Sequence, residues 1–144
     1  MKQIFILFLV AVAISGCSNS SKQSAKQLEE IQVIDAAHTS QNSLNYHGMY
    51  LGTVPCADCE GIETTIILGD TDYSIKTVYL GKKDKTEHKK TGTYSWDKSG
   101  QIITLEGIEN APNKYFVGEN YLRQLDINGD KITGPLAEKY ILKK

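Results

Sequence analysis

From residue 46 onward, apolar and polar positions alternate in short runs broken by turn-forming residues. Ile62, Thr64, Ile66 and Leu68 share one face of a candidate strand, and Tyr73, Ile75, Thr77 and Tyr79 share one face of the next. Gly92, Tyr94 and Trp96 continue the same period of two, which is the signature of a half-buried strand. Further short segments span 46–54, 102–106, 114–117, 121–126, 131–133 and 139–142. Between them lie Gly69-Asp70, Lys98-Ser99-Gly100, Gly118-Glu119-Asn120, Asn128-Gly129-Asp130 and Gly134-Pro135, all of them turn chemistry. The pattern predicts an all-β domain of roughly eight or nine antiparallel strands joined by hairpins. A single sheet of that size leaves unpaired edges, so closure into a small up-and-down barrel is favoured; a two-sheet sandwich is the alternative.

The N-terminus follows another rule. An unbroken apolar run of 11 residues from Ile4 to Ile14 follows Lys2 and ends at Ser15-Gly16-Cys17. A membrane-spanning helix needs about 20 residues, so this run reads as the h-region of a signal peptide, residues 1–16. Ile14-Ser15-Gly16-Cys17 resembles a bacterial lipobox, which implies cleavage before Cys17 and lipidation of its thiol. The competing reading is an ordinary secreted protein with a free cysteine. Three acyl chains would make a permanent anchor, since two membrane signals already suffice. Ser18 is not the aspartate that commonly signals inner-membrane retention, so the expected address is the outer membrane. Residues 17–44 are polar and Ser-rich at their start, with Ile31, Val33 and Ile34 as a small apolar group. They read as a flexible linker with at most a marginal helix over 27–37, and His38 as a solvated side chain. Residues 45–144 remain for one domain with one core.

Loss of residues 1–16 removes one basic residue and no acidic one, moving the formal charge from −1 to −2. No basic face large enough for phosphates stands out, which argues against nucleic acid as a partner. Lys82-Lys83-Asp84-Lys85 and Lys89-Lys90 read as a solvated hairpin tip. No Ser/His/Asp set, readable carboxylate pair or phosphate loop is present, and no enzyme is expected.

The chemistry-bearing motif is Val54-Pro55-Cys56-Ala57-Asp58-Cys59-Glu60-Gly61. A thioredoxin-like role would place the pair at a helix N-terminus that lowers a thiol pKa. Here a strand-like segment follows, and Asp58 and Glu60 oppose a thiolate. Structural zinc needs four ligands, and only His38, His47 and His88 could join the cysteines. Cu(I) is softer and could be held by Cys56 and Cys59 with help from Met49 or His47, though Met49 is the only methionine after the leader. The third reading is a disulfide closing a four-residue loop, favoured outside the cytoplasm and worth about 2 kcal/mol by chain entropy.

Tyr50-x-Gly52-x-x-Pro55-Cys56-Ala57-Asp58-Cys59-Glu60-Gly61-Ile62-Glu63-Thr64 resembles the N-terminal domain of NlpE-type lipoproteins, a family often labelled copper resistance or copper homeostasis. The likeness continues through Tyr79-Leu80-Gly81, Gly92-x-Tyr94-x-Trp96 and Leu122-x-x-Leu125-Asp126 to Leu136-Ala137-x-x-Tyr140-x-Leu142. It implies a lipocalin-like barrel on an outer-membrane lipid anchor at Cys17, with Cys56 and Cys59 available for a disulfide. Larger members carry a second, OB-like domain, which is expected to be missing here. The expected function is non-enzymatic: copper tolerance or envelope-stress sensing through the CxxC loop. No cofactor is required, Cu(I) is a candidate ligand of Cys56 and Cys59, and an envelope-stress signalling protein is a candidate partner. The alternative is a binding or inhibitor module for a hydrophobic ligand or another envelope protein.

Overall fold

A computed structural model describes residues 38–83 and 86–144; the expected leader, Cys17 and most of the expected linker lie outside the described residues. Eight strands follow one another around a closed antiparallel barrel: β1 (Gly48–Val54), β2 (Gly61–Leu68), β3 (Asp72–Leu80), β4 (Glu87–Trp96), β5 (Ile102–Leu105), β6 (Lys114–Gly118), β7 (Tyr121–Gln124) and β8 (Ile141–Lys143). Closure through the β1–β8 pair excludes the sandwich. The faces set out by alternation are the interior ones: Ile66 pairs across from Tyr50 and Ile75, and Tyr94 from Leu105. Segment 131–133 is not a ninth strand. Lys131 forms a single bridge to Leu125, because the Asp126 carboxylate accepts the N–H groups of Asn128, Gly129 and Asp130 and curls the chain into a tight turn. The closing strand also starts later than 139, since Ala137–Tyr140 forms a 3₁₀ turn ahead of β8.

The two ends of the barrel differ. At the base, Tyr50, Tyr73, Tyr94, Ile103, Val117, Leu122 and Leu142 are buried. The phenols are satisfied by main chain: Tyr50 donates to the Tyr46 carbonyl (2.6 Å), Tyr73 to Glu106 (2.8 Å) and Tyr94 to Gly69 (2.8 Å). The fold begins before Asn45. Thr39 is buried, and it caps a short helix, α1 (Ser40–Ser43), by accepting from the Asn42 N–H. Ser40 Oγ donates to the Val117 carbonyl and the Gln41 N–H to that of Gly100, so this segment shuts the base, with Tyr46 stacked edge-on against Trp96. The expected linker boundary at residue 44 therefore falls inside chain that is docked on the barrel.

Two glycines let the barrel close. A Cβ at Gly52 would lie 2.7 Å from Leu142 Cδ2 and 2.8 Å from the Ile141 carbonyl oxygen, so the β1–β8 seam needs a residue without one. A Cβ at Gly92 would lie 2.9 Å from Tyr73 Cε1, so the Tyr73 ring lies across β4 in space that only glycine leaves.

At the other end, the mouth, strand lengths do not match. β4 runs for 10 residues but β5 for only 4, and the β4–β5 register covers Tyr94, Ser95 and Trp96 alone. The half of β4 next to the β3–β4 turn thus projects past its neighbour, carrying Glu87, His88, Lys89 and Lys90. The two lysines are strand residues rather than part of a solvated tip. Charged residues on such an overhanging edge discourage pairing with a second chain.

Gly52→Ala is expected to lower the unfolding free energy by about 1–3 kcal/mol, the range for overpacking, read as a fall in the urea midpoint at unchanged slope. Alkali gives a second outcome. Burial pushes the phenols of Tyr50, Tyr73, Tyr94 and Tyr115 above their ordinary value, and the negative carboxylate of Glu106 pushes Tyr73 the same way. A raised folded-state pKa leaves stability complete below the unfolded value, about pH 10, and erodes it as pH climbs toward the folded value. Urea midpoints should hold from pH 7 to 9 and fall above about pH 10, and Tyr115→Phe should flatten that fall by about one proton per molecule.

Candidate functional site

The β1–β2 connection at the mouth carries the cysteines. Cys56 and Cys59 are joined by a disulfide, with S–S 2.06 Å and Cα–Cα 5.3 Å. The loop is fixed at both ends: β1 and β2 pair up to Val54 opposite Ile62, and the Glu60 N–H donates to the Leu80 carbonyl at 3.2 Å. It is also tied sideways. Lys82, on the β3–β4 turn, donates to Asp58 Oδ2 at 2.8 Å and lies 5.5 Å from the centre of the Tyr79 ring. The Lys82 ammonium, through its hydrogen bond and its charge, holds the Asp58 carboxyl below the usual carboxylate range.

Asp58 Oδ1 lies 3.4 Å from Cys56 Sγ. A disulfide sulfur has no proton to donate, so this is a packing contact in the oxidised state. On reduction the same carboxylate faces a thiol, and a neighbouring negative charge favours the protonated form. The environment opposes the activated thiolate that a redox enzyme needs.

The metal readings divide on geometry. One potential ligand atom each from Cys56, Asp58 and Cys59 lies within 4.8 Å of the others. While the sulfurs are bonded to each other, neither is a thiolate. After reduction, two soft thiolates fit Cu(I), whereas the third group is a hard carboxylate oxygen that does not match it. His47 and Met49 offer no help: both sit at the base, His47 stacked on Tyr46 and 3.7 Å from Asp70, and Met49 outward-facing opposite Ile67. The length of β1, about 20 Å, separates them from the cysteines. His38 adjoins buried Thr39 and so is also at the base. Of the histidines only His88 is at the mouth, opposite Thr77 and edge-on to Tyr79 at 5.7 Å, in a hollow shared with Asp58, Lys82 and Thr86.

Beside the loop a cavity of about 520 Å³ opens into the barrel, with Pro55, which precedes Cys56, on its rim. Its walls include Ile62, Ile75, Tyr79, Ile108, Tyr115 and Tyr140. Alternation gave the strand positions but not this space, because the space arises from β5 stopping short, which no local pattern encodes.

The closed barrel agrees with the comparison to known proteins. Residues 50–135 match the NlpE N-terminal domain family. The chain belongs to that family. Lipoprotein NlpE of Escherichia coli K12 is 26% identical over 119 residues, covering 81% of this chain and 46% of its own length; the chain thus spans about half of that relative. A crystallised Shewanella oneidensis protein classed as a lipoprotein is 50% identical, covers 74% of this chain and 94% of its own, and superposes with a TM-score of 0.67. The crystal structure of the Escherichia coli Cpx pathway activator NlpE is 28% identical, with TM-score 0.50 over 60% of this chain and 46% of its own.

The disulfide closes so small a ring that it does little for global stability. Cys56→Ser/Cys59→Ser is expected to keep the barrel and lose about 2 kcal/mol or less, measured by urea unfolding with circular dichroism.

Proposed function

We propose that this protein is a lipid-anchored envelope lipoprotein, attached through Cys17 and sorted to the outer membrane, whose Cys56–Cys59 loop reports redox or copper stress to a signalling partner. The observation that carries the reading is the placement of a near-surface disulfide in a loop whose middle, at Asp58, is tied to the β3–β4 turn by an exposed ion pair with Lys82. Exposed pairs are worth about 0–1 kcal/mol, so opening the disulfide frees the loop at little cost to the barrel. Opening takes two electrons and two protons from an envelope dithiol, which is itself oxidised to a disulfide, and leaves Cys56 and Cys59 as thiols. Cu(I) can then bind both sulfurs with release of the two thiol protons. The resemblance to the Cpx pathway activator NlpE supports a stress-signalling partner for the loop, and Ser18 supports the outer-membrane address. The role is non-enzymatic: the carboxylate beside Cys56 works against thiolate chemistry.

Titration of Cu(I) into the chain is expected to give one bound ion per reduced molecule and none per oxidised molecule. Cells carrying Cys56→Ser/Cys59→Ser are expected to lose copper tolerance or the envelope-stress response; unchanged behaviour in both, at wild-type protein level, would overturn the proposal.

A further inference from the structure

Inward positions of β4 change character along the strand. Trp96 and Tyr94 pack in the core and Gly92 admits the Tyr73 ring, but the next two inward positions are Lys90 and His88, opposite Ile75 and Thr77. A barrel interior facing a core does not call for a cation. Lys90 nevertheless lines the cavity, donating one of its protons to the Gly107 carbonyl on the opposite rim, and an ammonium has two more to give. Deeper in, Ile62, Ile75 and Ile108 make an apolar wall, with Thr64, Thr77 and Gln124 among them. Lys89 borders the cavity but its ammonium is paired with Glu87 on the outer face, and among the described residues no aspartate or glutamate lines the cavity.

We infer that this cavity is a binding site for a single-chain amphiphile with an anionic head, its alkyl chain lying against the isoleucines and its head at Lys90 and His88. The volume lies within the range of small-molecule sites, about 300–1,000 Å³. The sign of the charge follows from the lining, which among the described residues supplies the Lys90 ammonium and no carboxylate. A fatty acid and a lysophospholipid phosphate share this chemistry. Lys90, His88 and the isoleucines lie outside the Cys56–Cys59 loop, so occupancy of the cavity is tested separately from the copper and stress reading.

The test uses the full chain with Cys17→Ser, purified without detergent, and laurate, lauroyl lysophosphatidate, dodecanol and dodecyltrimethylammonium, each below its micelle concentration, by isothermal titration. At least one of the two anions should bind at one per chain, and which one does identifies the source of the head group. Dodecanol should bind about tenfold more weakly, the value of one charge-assisted contact at a partly solvated site, and the cationic amphiphile more weakly still. Lys90→Glu should cost the anion about tenfold or more and leave dodecanol unchanged, which shows the cavity intact. Lys83→Glu, the same charge change on the β3–β4 turn away from the cavity, should have no effect. Ala111→Trp, at the exposed rim, should block all ligands without changing the circular dichroism spectrum. Absence of binding by both anions, equal affinity for all four amphiphiles, or equal losses from Lys90→Glu and Lys83→Glu would each overturn the inference.

Discussion

An eight-stranded barrel has an interior just wide enough for side chains to fill it, and the rest of this molecule depends on how unevenly that space is used. At the base, three tyrosines and a set of branched aliphatics occupy it fully, and their hydroxyls reach main-chain carbonyls. Such phenols are fixed anchors: each buries a large ring and would be costly without its hydrogen bond. They are also why glycine stands at positions 52 and 92, where the seam and the Tyr73 ring would otherwise collide with a Cβ. With the base filled, the chain can leave the mouth hollow and still fold.

The hollow follows from a mismatch in strand length. Ten residues of β4 against four of β5 leave the upper part of β4 paired on one side only. An unpaired edge is a hazard for association between chains, and charged side chains are a common defence. Lys89 forms an ion pair with Glu87 on the outer face, while Lys90 reaches across the mouth to the Gly107 carbonyl. The side chains that guard the edge therefore also set the charge at the mouth.

Alternation made the long strands legible: the inward faces of β2, β3 and β4 are those of Ile66, Ile75 and Tyr94, because a period of two survives wherever one face is buried and the other wet. It failed at 131–133, where the Asp126 carboxylate outcompetes a strand for three N–H groups, a contest that composition alone does not decide. It also missed the docking of residues 39–44, since a buried Thr39 and two hydrogen bonds to main-chain carbonyls carry no hydrophobic signal. The cysteines were plain in the sequence, but their neighbourhood was not. That Asp58 is tied to Lys82, 24 residues on, and that His88 but not His47 shares their end of the barrel, are facts of register rather than of spacing.

Register also explains why so modest a disulfide is kept in so specific a place. A four-residue ring restricts the unfolded chain by only about 2 kcal/mol, and the barrel already holds β1 to β2 over seven paired positions. What the bond fixes is local: the path from Pro55 to Glu60, and with it the position of Asp58 beside Lys82 and of Pro55 on the cavity rim. A constraint of that kind leaves the fold standing when it is removed while changing the shape of the surface around it. Marginal stabilisation and exposure are drawbacks in a structural crosslink, but they are the properties required of a bond that opens while the protein stays folded.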